Sequence, residues 1–370
     1  MTDGDRRFSR RGLLRGALTG GIGLLAGYVV GCGDGDDKPA EQTASPAITS
    51  RPTPVATRTP AATPAAMRWR RIEGSRPPPP ARRDHSLVTD GQSLYLFGGR
   101  NNDGPLGDLW SYDAGEWYQQ PVGEGPAARF GHNAVHARAG EAKFMLIFGG
   151  QAAGGAFFND AWSFGGQWRK LFGEDYGPPP RYGAASALKP DGLLLVSHGF
   201  TNEGRFDDTW SLEPFAAWTD VSATGTRPLK RCLIRGVWDA KRDRFLIFGG
   251  QTDGTPFLGD LWALDANGWA EITSEPKPSP RNFYAMVATD SASVVLFGGN
   301  SQEGPGPVND LWFLDTKNDT WTQVQVEGEG PTPRYGHDAV WLPDTRKLIV
   351  FGGHDTSGDV NDLWELSIPA

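Results

Sequence analysis

Pro333-Arg334-Tyr335-Gly336-His337, then Leu348-Ile349-Val350-Phe351-Gly352-Gly353, then Asn361-Asp362-Leu363-Trp364 are three landmarks that decide the reading of this chain. All three recur upstream. The arginine returns as Arg82, Arg129, Arg181, Arg231, Arg281 and Arg334, and the Asp-x-Trp tryptophan as Trp110, Trp162, Trp210, Trp262, Trp312 and Trp364. The repeat length is about 50 residues, and six copies account for the chain from residue 67 onward. One copy contains only short apolar runs, such as Ser86–Thr89, Leu94–Phe97, Leu109–Tyr112 and Trp117-Tyr118, separated by turn residues. That pattern predicts four short antiparallel strands per unit and no helix. The 50 glycines serve turns and close chain approaches.

Six four-stranded units of this length predict an all-β fold, a six-bladed β-propeller. The repeated Phe-Gly-Gly and Asp-Leu-Trp sequences resemble kelch repeats over residues 67–370. The third unit departs, reading Ser197-His198-Gly199-Phe200 where the others read Phe-Gly-Gly. An outer-strand Trp follows in the first five units (Trp117, Trp168, Trp218, Trp269, Trp321), but the sixth has none before Ala370. Met67-Arg68-Trp69-Arg70-Arg71-Ile72 carries the missing strand. It is expected to complete the last blade and leave no open edge.

The first 66 residues read differently. Ser9-Arg10-Arg11-Gly12-Leu13-Leu14 resembles a twin-arginine export signal, with Arg10 and Arg11 as its pair, followed by an uncharged run. Val29-Val30-Gly31-Cys32 resembles a bacterial lipobox. This implies cleavage after residue 31, acylation of Cys32, and a lipid-anchored protein of the cell envelope, periplasmic or extracellular. Residues 32–66 are rich in Pro, Thr and Ala and form an extended tether reaching up to about 90 Å. Residues 1–31 carry five Arg and two Asp, so their removal takes the formal charge from −8 to −11. An acidic surface argues against nucleic acid as partner. Cys232, in an apolar run, is read as a small buried hydrophobe.

Six repeats of one residue type serve a repeated fold better than an asymmetric ligand. The landmark arginines are therefore expected to bond backbone or the Asp-x-Trp carboxylates (Asp108, Asp160, Asp208, Asp260, Asp310, Asp362), with the tryptophans as wedges between blades. Ligand-binding candidates lie where the repeats differ. They are Arg235, Asp338 and Asn133, four residues past the landmark arginine, then His198 in place of a glycine, and Arg100, Glu203 and Arg205 in the loops after Gly-Gly. In kelch proteins those loops surround the channel mouth. His85, His132 and His337 share one position, but equivalent sites on separate blades are too far apart to hold a metal.

No nucleophile elbow, His-Glu-x-x-His, phosphate loop or cysteine cluster is present. No catalytic residue, cofactor or metal is assigned. The leading expectation is a monomeric binding module for a protein or glycan at the loop face. The alternative is a carbohydrate-active enzyme. The resemblance extends to the central domain of galactose oxidase, whose copper chemistry needs a Cys–Tyr crosslink that Cys232 does not offer. It also extends to bacterial sialic-acid epimerases, for which Arg235, Arg205, Glu203 and His198 would be the acid–base and carboxylate-binding groups.

Overall fold

The computed structural model describes residues 67–369 apart from 174–175, 291 and 303–305. Arg10, Arg11, Cys32 and the tether lie outside the described residues. The first blade pairs Ser86–Thr89, Leu94–Phe97, Leu109–Asp113 and Glu116–Gln120 in that order from the axis outward. Four further four-stranded blades begin at Asn133, Ala185, Gly236 and Ala285. The sixth contains Asp338–Leu342, Lys347–Asp355 and Gly358–Ser367, and Trp69–Ile72 supplies its outer strand. That N-terminal strand runs antiparallel to Gly358–Ser367, from Trp69 opposite Leu366 to Ile72 opposite Leu363. The ring is closed by the strand the sequence pointed to. Among the described residues the one helical element is a 3-10 turn at Ala153–Gly155.

The landmark arginine holds each blade together internally. In blade 6, Arg334 donates through Nε to the Thr332 carbonyl at 3.0 Å and through Nη1 to the Gly352 carbonyl at 3.0 Å. Its Nη1 and Nη2 also clasp both oxygens of Asp362, at 2.6 and 2.9 Å. Trp364 Nε1 donates to the same carboxylate at 2.7 Å. The clasp recurs in all six blades, on Asp108, Asp160, Asp208, Asp260, Asp310 and Asp362. All six arginines are buried to 1% exposure or less. A guanidinium can be buried so deeply only because its fork is met by a carboxylate and two carbonyls.

Between blades the packing is aromatic. In the five blades that follow a Phe-Gly-Gly, the outer-strand Trp lies against that Phe, as Trp168 does on Phe97 (5.0 Å between centroids), Trp218 on Phe148 and Trp321 on Phe248. Trp69 does the same on Phe297 and Trp117 on Phe351. The Asp-x-Trp indoles Trp110, Trp162, Trp262, Trp312 and Trp364 also belong to clusters shared by neighbouring blades. The ring-on-ring wedge is thus the outer-strand Trp, with the Asp-x-Trp indole tied to its carboxylate beside it. Tilted and edge-to-face aromatic pairs of this kind add about 0.5–1.5 kcal/mol each beyond area burial.

Blade 3 has Ser197 where the Phe should be, and its neighbour compensates. His198 occupies the first glycine's position at φ +63°, fully buried, with its ring edge-on to Trp269 at 5.9 Å. Its carbonyl still accepts from Arg181 at 2.8 Å, as the glycine carbonyls do in the other blades. Ser197 Oγ meets its Nδ1 at 2.7 Å. His198 therefore fills the gap between blades 3 and 4, and burial keeps it from any ligand in solvent. His85, His132 and His337 are buried in the same way, edge-on to Phe351, Phe97 and Phe297 of the preceding blades. They face their own interfaces and do not converge.

Two expected outcomes follow from this packing. Arg129→Met should destabilise the domain by about 3–5 kcal/mol, because it leaves the Asp160 carboxylate buried without its partner. Arg129→Lys should not restore the loss, since one ammonium cannot replace the fork; urea unfolding measures both. The second outcome concerns pH. Burial, reinforced by the neighbouring arginines, holds His85 and His132 well below the ordinary value and His198 and His337 at about 3. Unfolding frees these four imidazoles to protonate below about pH 6.5, so stability should fall as pH drops from there. Burial raises the Asp108, Asp160, Asp208, Asp260 and Asp362 carboxyls, but their Arg and Trp partners outweigh it and hold them low. Their contribution is therefore lost only in stronger acid. Urea midpoints measured between pH 7 and 5 should fall steadily, and a flat profile would contradict the neutral, buried histidines.

Candidate functional site

The residue two places after each landmark arginine makes a closed belt around the channel axis. Asp84 donates its backbone N–H to the Gly336 carbonyl at 2.7 Å, and Gly131 donates to Asp84 at 2.8 Å. Gly183 donates to Gly131, Leu233 to Gly183, Phe283 to Leu233 and Gly336 to Phe283, which completes the circle. All six have positive φ, between +54° and +66°. Glycine is required at Gly131, where a Cβ would lie 1.9 Å from the Tyr182 ring. At Asp84, Leu233 and Phe283 a side chain accepts the left-handed backbone, and the belt holds it there.

The belt narrows the channel to a cavity of about 30 Å³, lined by belt residues with Tyr182, Ile234, Arg235 and Tyr284. That is room for a water or two. On one side lies the face formed by the loops after Gly-Gly. On the other a chamber of about 530 Å³ runs between the inner strands to the far mouth, near Thr89, Asp290 and Trp341.

On the loop side, the residue directly after each landmark arginine pairs with the residue after Gly-Gly: Arg83 with Arg100, Phe130 with Gln151, Tyr182 with Phe200, Cys232 with Gln251 and Tyr335 with His354. Asn282 pairs with Asn300 in blade 5. The result is a cationic and aromatic collar. Arg100 donates to Asp84 at 2.7 Å and stacks over Phe130 at 4.4 Å, and Phe130 meets Tyr182 edge-on. Arg83 donates to Asp359 at 2.7 Å, His354 shares that carboxylate, and the His354 ring packs against Tyr335. Arg205 lies over Phe200 and is paired with Asp253. Burial raises the Asp84 carboxyl above its ordinary range, although Arg100 and Arg83 pull it the other way. Cys232 is buried and its thiol is pushed up to about 11, again by burial.

The sequence-derived candidates separate into distinct places. Arg100, Arg205 and the exposed Glu203 are on the loop side. Arg235 and Asp338 lie beyond the belt at the inner end of the chamber, 3.7 Å apart. Asn133, at the equivalent position of blade 2, is buried and donates to the Ala184 carbonyl at 2.8 Å and to Ser186 at 3.0 Å. It stitches blade 2 to blade 3. His198 sits between blades 3 and 4. Arg235 and His198 thus do not join Arg205 and Glu203 in one cluster, and the acid–base constellation expected for an epimerase is not assembled. Among the described residues no group of three or more His, Cys, Asp or Glu is arranged to hold a metal.

The collar positions Arg83, Tyr182 and Tyr335 and the belt residue Asp84 were missed in the sequence. The signal was present: the residue after the landmark arginine changes identity in nearly every repeat, while the arginine never does.

Comparison with known proteins agrees with this architecture. The KLHDC2/KLHL20/DRC7 Kelch-repeats domain matches residues 59–232 and 216–370. Putative adagio-like protein 2 of Oryza sativa subsp. japonica is 26% identical over 336 residues, covering 82% of this chain and 52% of the relative. Multiple epidermal growth factor-like domains protein 8 of Homo sapiens is 30% identical over 312 residues, covering 75% of this chain and 11% of the relative. An F-box/kelch-repeat protein of Arabidopsis thaliana is 26% identical over 255 residues, covering 60% of this chain and 52% of the relative. The chain spans about half the length of the adagio-like relatives it matches. With six blades, six arginine clasps and a matching family over nearly all of the propeller, this chain belongs to the kelch-repeat family.

Proposed function

We propose that the propeller is a non-catalytic binding module that holds a protein ligand on its loop face. The observation that carries this reading is the collar. Arg83 and Arg100 stand among the rings of Phe130, Tyr182 and Tyr335 on the loop side of a closed throat. Arginine and tyrosine dominate the strongly contributing positions of protein interfaces, because each offers a large surface and a directional polar group. The belt supports them from beneath, so a ligand meets a rigid platform and loses little affinity to loop ordering. The collar arginines favour a segment bearing carboxylates. The enzymatic alternative loses support from the dispersal of its proposed residues.

The same reading keeps the propeller outside the cytoplasm on a lipid tether, with Arg10 and Arg11 directing export and Cys32 acylated. It rests on the order of arginine pair, uncharged run and lipobox in the sequence.

Two experiments test these statements. Pull-down from envelope extracts with the full chain should recover a protein that Arg100→Gln and Tyr335→Ala each lose, by about tenfold or more in affinity. Arg138→Gln, exposed near the end of the strand Asn133–Ala139 and away from the collar, should retain it. Recovery of a glycan instead would redirect the ligand class, and equal binding by all variants would remove the loop face from consideration. For the anchor, growth with labelled palmitate should mark the chain, and Cys32→Ser should abolish the label. A label that persists in Cys32→Ser, or never appears, ends the lipoprotein reading.

A further inference from the structure

The chamber beyond the belt is separate from the loop face and has its own chemistry. Its volume, about 530 Å³, falls within the range of small-molecule sites. The wall is mixed: Val135, Leu188, Val237, Val287 and Val340, from five different blades, alternate with hydroxyl side chains such as Ser186 and Thr289. At its inner end stands Arg235. The equivalent residues on the other blades are Ser86, Asn133, Ala185, Ala285 and Asp338, so Arg235 is the one cation at this level.

Its environment differs from that of the six landmark arginines. Those are fully enclosed, and every guanidinium meets a carboxylate at hydrogen-bond distance. The Arg235 side chain is 26% exposed, and among the described residues its only charged neighbour within 4 Å is Asp338, at 3.7 Å. That distance leaves the fork without a hydrogen bond. Asp338 is held elsewhere, accepting the Leu87 N–H at 2.9 Å and the Ala339 N–H at 3.0 Å. Asp338 is thus fixed between blades 1 and 6 while the guanidinium is left open to the chamber.

We propose that this chamber binds a small organic acid entering by the far mouth, its carboxylate on the Arg235 fork and its apolar body against the valine-lined wall. A planar carboxylate matches the fork with two parallel hydrogen bonds. A phosphate dianion fits less well, because Arg235 offers one positive charge and the fixed Asp338 stands beside it. The belt closes the inner end, so the ligand enters and leaves by one mouth. This site does not depend on a ligand at the loop face.

The test is calorimetric titration of the full chain with phenylacetate and hexanoate, with phenylacetamide and hexanamide as uncharged matches. Both acids should bind saturably at one site, and the amides at least about tenfold more weakly. Arg235→Met should lose acid binding while its circular dichroism spectrum stays that of the folded wild type, because the guanidinium holds no hydrogen bond to the described residues of the fold. Asp338→Asn should tighten acid binding, since it removes the negative charge beside the fork. Arg100→Gln should leave it unchanged, which separates this site from the collar. Equal binding of acids and amides, undiminished binding by Arg235→Met, or no saturable binding by either acid would each overturn the proposal.

Discussion

The clasp between a buried arginine and the carboxylate of Asp-x-Trp is the constraint on which the rest of this structure depends. It joins the entry to the inner strand, the end of the second strand and the start of the third, and does so six times. A buried ion pair is a weak source of net stability, because desolvation offsets most of its attraction. Its contribution here is specification. With four hydrogen bonds to a carboxylate and two carbonyls, the guanidinium admits one arrangement of three chain segments, and a register slip leaves a charge unpaired. Stability comes instead from the apolar clusters between blades and from the outer-strand tryptophans seated on the preceding blade's phenylalanine.

Because the clasps fix where each inner strand begins, they also fix the belt. Two residues beyond each arginine the backbone turns left-handed, and its N–H reaches the neighbouring blade's carbonyl. Six such bonds can close only if six blades are present at equal spacing. The belt is therefore a consequence of blade number as well as of local sequence. It separates a rigid, arginine- and aromatic-rich face from a chamber of mixed lining with an open arginine at its base. Two chemically different surfaces thus share one axis without sharing residues, and each can be altered with little effect on the other.

Blade 3 shows how a repeat tolerates loss of its own motif. Ser197 is too small to meet Trp269, and His198 fills the space although its φ of +63° is unfavourable for a side chain. The backbone hydrogen bonds of the missing glycine survive: the His198 carbonyl accepts from Arg181, and the Gly199 N–H reaches the Arg231 carbonyl at 2.9 Å. What looked in the sequence like a break in the pattern, and so a place for ligand chemistry, is a packing substitution.

The sequence by itself determined the six units, their strands, the two candidate partners of each landmark arginine (backbone or the Asp-x-Trp carboxylate), and the closing of blade 6 by Trp69–Ile72. These are properties of one repeat or of one missing strand, and repetition makes them visible. It also brought Arg235 and Asp338 to one level, since both sit four residues past a landmark. What only the tertiary structure decided is which variable residues share a surface. Arg205 and Arg235 are close in the chain but lie on opposite sides of the belt, while Arg83, Tyr182 and Tyr335 come together from three blades. The reason is geometric: adjacent residues of an inner strand differ in depth along the axis. Which face a side chain joins depends on the belt, and the belt exists only once all six blades have met.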